Sequence, residues 1–114
     1  MSRLFSKIPS VARDPIAEMI KALHLNGTGW RTRDDFYDAF FKAVGAPDWH
    51  GRNFNALRDS IGTGGINRIE IPYTIQIDGI EGTPPEVKSL VRDFCNLISD
   101  LHAAGHQVDV VCSF

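Results

Sequence analysis

PDWHGRNFNALRDSI, residues 47 to 61, is the stretch from which the rest of this 114-residue chain can be ordered. Pro47 opens a turn, and Trp49 and His50 stand against Gly51. Asn53 is a strong helix N-cap, because its side-chain oxygen accepts an otherwise unpaired N–H of the first helical turn. Phe54, Leu57 and Ile61 follow at spacings of three and four, which gives a short helix one apolar face. Asn55 and Asp59, four apart, stack on the opposite face. With Arg52 and Arg58 nearby, one loop and one helix face carry more polar and aromatic surface than a helix needs to stay soluble.

Upstream, Thr32 with Asp35 three residues on is an acidic variant of the capping box. Phe36, Ala39, Phe40, Ala43 and Val44 make an apolar stripe, most simply core. Asp34, Asp35 and Asp38 fall in the first two turns, where the helix dipole favours negative charge. Gly45 closes the helix at the C′ position. Further out, Asn26-Gly27 signals a turn, and a weak alternation before it places a first strand at residues 22 to 26. Asp14-Pro15 reads as a helix start, with Ile16, Met19, Ile20 and Leu23 at helical spacing. That is either a short added helix or a helix whose end already belongs to the strand. Residues 1 to 13 have no clear period. Residues 1–21 are thus expected to form an N-terminal extension and residues 22–114 the domain.

Downstream, GTGG at residues 62–65 reads as a flexible connector. It lacks the Lys-Ser/Thr ending of a phosphate loop and follows a helix instead of a strand. Ile69, Ile71, Tyr73, Ile75 and Ile77 alternate strictly, and Pro72 breaks the ladder, so the strand proper is Tyr73 to Asp78. Thr83-Pro84-Pro85-Glu86 reads as a capping box with proline at the first helical position. Val87, Leu90, Val91, Phe94, Leu97, Ile98 and Leu101 then mark a long amphipathic helix ending at Gly105. Arg92, Asp93, Asn96 and Asp100 lie on its polar side. Val108, Val110 and Val111 form the last strand. Strands separated by helices pair in parallel. The order β-α-α-β-α-β therefore predicts an α/β fold, a small three-stranded parallel sheet with helices packed against it.

Hydrophobic residues make up 43% of the chain and the net charge is −2, which leaves no overall basic footprint for direct nucleic-acid binding. The charge is uneven: residues 1–31 carry five basic and two acidic residues, and residues 61–114 carry three basic and seven acidic. An acidic half suits a basic partner and speeds encounter with it. Cys95 and Cys112 are too few for a disulfide framework and are expected to behave as small buried hydrophobes in a reducing cytosol. Residues 1–12 contain no apolar signal region, and no run approaches the ~20 apolar residues of a membrane span. These features predict a cytoplasmic protein without membrane contact. His102 and His106 are four apart, but Gly105 intervenes and no third ligand has a diagnostic spacing. No nucleophile or oxyanion donor accompanies His50. Neither a metal, a cofactor nor catalysis is expected.

The core from Pro47 to Asp59 resembles the barstar family, small intracellular inhibitors of ribonucleases. The family pattern is an apolar helix, a Pro-acid-aromatic-aromatic-Gly loop, then Asn-apolar-Asp-Ala-Leu-x-Asp. The similarity runs upstream through Leu25-Asn26-Gly27 and the helix DDFYDAFFKAVG, residues 34–45, and downstream through the last helix and strand. It spans roughly residues 23 to 114, with a longer connection after Ile61. The resemblance implies a partner-binding surface made of Trp49, His50, Gly51, Arg52, Asn55, Ala56, Arg58 and Asp59, with Asp100 as a supporting acidic contact. Asp59 matches the aspartate that occupies a cationic pocket of the ribonuclease. Asn55 stands at the family's first aspartate position, Arg52 where an acid is frequent, and Arg58 at an ordinarily uncharged position. The loop is therefore expected to be less acidic than in the family and to fit a partner with a mixed-charge surface. Trp49 either fills a partner pocket or covers the core beside Pro47. His50 is either a titrating contact that makes binding pH-dependent or simply exposed. The implied function is a cytoplasmic inhibitor or immunity protein. It would bind 1:1 as a monomer and occlude the active site of a ribonuclease or nuclease toxin. A barstar-like interaction module for a non-nuclease protein is the alternative.

Overall fold

Parallel strands joined through helices bury apolar side chains on whichever face the helices cover, and strand register shows which face that is. The structure, a computed structural model, describes residues 20–114. In it, β1 (Lys21–Asn26), β2 (Tyr73–Asp78) and β3 (Val108–Cys112) pair in parallel in the order β1-β2-β3. Leu23 and Leu25 of β1, Tyr73, Ile75 and Ile77 of β2 and Val108 of β3 are buried on the covered face. On the other face, His24, Gln76 and Val111 lie in register across the three strands and are exposed. The expected β2 has the observed bounds, and β1 starts one residue earlier than expected. The expected helix from Asp14-Pro15 lies outside the described residues, apart from Ile20, which precedes β1, and Leu23, which belongs to it.

Three α-helices make the covering layer. Helix α1 (Arg33–Val44) begins at the capping box read from the sequence: Asp35 N–H donates to Thr32 Oγ1, and the Asp35 carboxylate accepts from the backbone N–H of Arg31 and Thr32 at 2.7 and 3.1 Å. It buries Phe36, Tyr37, Phe40 and Val44. Helix α3 (Pro85–Ala103) lays Phe94 edge-on to Phe36 and Phe40, with ring centroids 4.9 and 5.3 Å apart. Such a ring is a large share of a small core, and truncating Phe94 to alanine would cost about 3–5 kcal/mol. Gly45 ends α1 at φ 65°, with the Arg68 side chain pressed against the position a Cβ would take. The connector returns here, since Arg68 and Ile69 donate backbone bonds to Gly45 and Val44.

Helix α2 (Phe54–Arg58) is shorter than its apolar spacing suggests and runs into one turn of π-helix at Asp59–Thr63. Leu57 and Ile61 are still fully buried. The GTGG segment is more defined than a flexible connector: Gly64 and Gly65 adopt positive φ, and Gly65 N–H donates to Glu70 Oε2 at 2.9 Å.

Two other expectations are corrected. Thr83 does not cap α3. Pro84 precedes Pro85, which holds it extended (ψ 156°), so it becomes the N-cap and α3 starts at Pro85 without a side-chain cap. The Thr83 hydroxyl donates to Ile80 O instead. The cysteines are not separate buried thiols. Cys95 on α3 and Cys112 on β3 are half-buried and joined as a disulfide, tying the helix layer to the edge strand.

Candidate partner-binding surface

The loop between α1 and α2 is held by one histidine. His50 N–H donates to Pro47 O at 3.0 Å, closing the turn that proline opens. The His50 ring is turned inward against Phe41, with centroids 4.5 Å apart. Its Nδ1 lies 2.8 Å from Gly51 O and its Nε2 2.8 Å from Ser60 Oγ, in the π turn. Only 7% of His50 is exposed, so it is a buried post under the loop and not the simply exposed side chain that was one of the two readings from the sequence. Its inward turn leaves Trp49 on the outside of the same bend, 74% exposed, which sets aside the reading of Trp49 as a cover for the core.

Beyond the turn, Asn53 caps α2 as expected, its Oδ1 accepting Ala56 N–H at 2.8 Å. A Cβ at Gly51 would meet Asn53 Nδ2 at 3.0 Å and Ala56 Cβ at 3.3 Å, so loop and helix are close enough there to favour glycine. The result is a shallow pocket of about 160 Å³ lined by Trp49, His50, Gly51, Ala56, Asp59 and Ile66. Five of the expected site residues thus come together at one place. Asn55 and Arg58 are exposed on α2 outside the pocket lining. Asp100 sits on the exposed side of α3, and no described contact joins it to the pocket, although the neighbouring Leu101 packs against Gly62 of the π turn.

The sequence matches the family model for barstar, described as a barnase inhibitor, over residues 20–113. This chain belongs to the barstar family. No curated protein matches it.

Within a barstar fold, Arg52 has an unexpected placement. It turns back onto α1, donating to Asp34 Oδ1 at 3.1 Å and Asp38 Oδ1 at 2.6 Å, with its guanidinium 5.5 Å from the centre of the Phe41 ring. The hydrogen bond to Asp38 and the charges of both aspartates raise its pKa further. These pairs are exposed, so each contributes little to stability. Their consequence is in the field: within this cluster one positive charge is matched by two negative charges. Arg52 therefore does not make the loop as basic as its identity suggests. Tyr37 is buried next to this cluster. Burial pushes its phenol pKa up, and Arg33 and Arg52 partly offset that.

Ile66 lines the pocket, buried Ser60 and half-buried Phe41 support the His50 ring from beneath, and Asp34 and Asp38 hold Arg52; none of the five was read as part of the site. Asp34 and Asp38, four apart on an exposed helix face, are the pair whose spacing suits a shared cation. Nothing in the order of residues joins Ser60 to His50. Among the described residues no group of three or more His, Cys, Asp or Glu side chains could hold a metal ion, and no helix is long and apolar enough to cross a membrane.

Proposed function

We propose that this barstar-family chain inhibits a ribonuclease by seating Trp49 and the Asp59 carboxylate over its active site. The observation that carries the reading is the pocket in which exposed Trp49 and exposed Asp59 share a wall made by Gly51 and Ala56. A large ring on a pinned turn can enter a recess in a partner with little loss of conformational entropy. A carboxylate beside it can stand in for a substrate phosphate among the cations that normally hold RNA. Because the loop is already tied through His50 and Arg52, ordering it costs little on binding. Occlusion would be steric, one inhibitor to one nuclease, without turnover. In the cytoplasm the same binding would protect a cell from its own nuclease or from a nuclease toxin.

The test is hydrolysis of a fluorogenic RNA by barnase with increasing amounts of the protein. Stoichiometric inhibition is expected, and Asp59→Ala is expected to weaken it by more than ~2 kcal/mol, about thirtyfold in Kd. Inhibition that survives Asp59→Ala within threefold would remove the carboxylate from the contact.

Asn55 and Arg58 favour a second reading, a barstar-fold module for a protein that is not a nuclease. Both are exposed on α2 and lower the negative charge beside the pocket. Absence of inhibition across basic ribonucleases, together with Asp59-dependent capture of a non-nuclease protein, would establish that reading in place of the first.

A further inference from the structure

We propose that the Ser60 hydroxyl holds His50 in both of its charge states, so that proton uptake changes the charge of the Trp49–Asp59 pocket and leaves the loop in place. Ser60 is then a positioning residue, acting on the pocket only through the imidazole. Histidine is the side chain whose charge ordinarily changes between about pH 5 and pH 8. His50 lines the pocket and is otherwise enclosed, with both ring nitrogens engaged. Its neutral form has one N–H and one acceptor nitrogen. Gly51 O, 2.8 Å from Nδ1, can only accept, so Nδ1 carries the hydrogen. Nε2 then accepts from Ser60 Oγ at 2.8 Å.

The protonated ring has two N–H donors and no acceptor. Nδ1 keeps its bond to Gly51 O. Nε2 must now donate, and the Ser60 oxygen has lone pairs to receive it. For this the hydroxyl hydrogen has to turn elsewhere. An acceptor is in place, since Leu57 O of α2 lies 3.4 Å from Ser60 Oγ. Both charge states thus keep the same two contacts between heavy atoms, and neither Gly51 nor Trp49 has to move. Alanine at position 60 offers no partner to either state. A charged ring left with an unpaired buried donor loses more than a neutral ring left with an unpaired acceptor.

The surroundings decide what the new charge meets. From α1, the Phe41 ring is centred 4.5 Å from the imidazole, and an aromatic ring favours a cation within about 6 Å. The Arg52 guanidinium is 5.5 Å from the centre of the same ring and opposes a second positive charge, but Asp34 and Asp38 hold it. Tyr37, tilted against Phe41, stays a neutral phenol because burial raises its pKa. From the π turn, Asp59 lines the same pocket as His50. Asp48 in the loop and Arg58 at the end of α2 are exposed, and Ile66 of the connector brings no charge. Protonation therefore sets a positive charge in the pocket that carries the Asp59 carboxylate. The consequence for binding rests on the inhibitor reading above. A nuclease cation that seeks Asp59 meets a partly cancelled charge, so affinity falls as pH falls, and binding in turn expels the proton.

The experiment is a nuclear magnetic resonance titration of the full chain from about pH 8 to about pH 5. It follows the His50 ring nitrogens and the hydrogen-exchange protection of the His50 amide, which donates to Pro47 O. The ring is expected to take up a proton while the protection holds. Ser60→Ala should lose protection severalfold between the upper pH and the lower. A ring that stays neutral throughout overturns the proposal, as does protection that collapses with proton uptake in the unsubstituted chain. Equal pH profiles in the two proteins remove Ser60 from the role. These spectra need no nuclease, so they stand apart from the inhibitor reading, which fails alone if barnase does not bind at any pH. With barnase bound, calorimetry at the acid end, in buffers of unlike ionisation enthalpy, should show more protons released than with His50→Gln. Equal release overturns the link between the His50 charge and binding.

Discussion

The imidazole of His50 and the hydroxyl of Ser60, ten positions apart in sequence, meet at 2.8 Å inside the protein and join the loop between α1 and α2 to the π turn after α2. Gly51 O can only accept a hydrogen bond, so Nδ1 carries hydrogen and Nε2 accepts from the Ser60 hydroxyl in the neutral ring. Ser60→Ala leaves Nε2 buried without a partner. The expected loss is about 1–3 kcal/mol in urea unfolding. A change below ~0.5 kcal/mol would show that the pair does not hold the loop.

Arg52 gives a prediction opposite in sign to its role in most interfaces. Its charge is spent on Asp34 and Asp38, so Arg52→Gln releases two carboxylates at the rim. Association with a basic ribonuclease should speed up severalfold at low salt, and the gain should fade as salt is raised. Stopped-flow association rates decide it, and slower binding at every salt concentration would mean that the guanidinium itself touches the partner.

Backbone hydrogen bonds from Arg31 and then Thr32 hold the Asp35 carboxyl pKa below its ordinary 3.8. A carboxyl with a depressed folded-state value contributes stability above its unfolded value and loses it as pH falls through the folded one. Below pH 3.8, α1 should therefore lose part of its stability with falling pH, and Asp35→Asn should flatten that part of the profile. Circular dichroism melts between pH 2 and 6 compare the two; identical slopes would contradict the capping role.

The disulfide closes a loop of 17 residues between Cys95 and Cys112. In the chain-entropy account a loop of that length is worth about 3 kcal/mol. Dithiothreitol should lower the urea midpoint of the protein, and Cys112→Ser should match the reduced protein and be indifferent to the reagent. Equal midpoints with and without the reagent would show that the link adds nothing.

Much of this could be read from residue order. The alternation from Tyr73 to Ile77 placed β2, the three- and four-residue spacings from Val87 to Leu101 placed α3, and the Thr32–Asp35 pair placed the start of α1, because each signal is local. Pro47 to Asp59 contains five of the six residues that line the shallow pocket. What stayed hidden depends on pairs brought together by folding. Cys95 and Cys112 meet only once α3 lies against β3, and Arg52 finds Asp34 and Asp38 only across the α1–α2 loop. The burial of His50 was hidden for the same reason, its partners Phe41 and Ser60 lying on either side of it in sequence. Thr83 failed differently: a second proline moved the helix start by one residue, an effect of backbone sterics that the cap pattern does not encode.

The clamp of Arg52 by Asp34 and Asp38 places a charge adjustment outside the residues that line the Trp49–Asp59 pocket. Substitutions at positions 34 and 38 would change the potential felt by an approaching protein while Trp49, Gly51, Ala56 and Asp59 kept their shape. In the proposed mode of binding, two lineages could then drift apart in which partner each recognises by editing α1 alone, leaving the shape of the pocket inherited and intact.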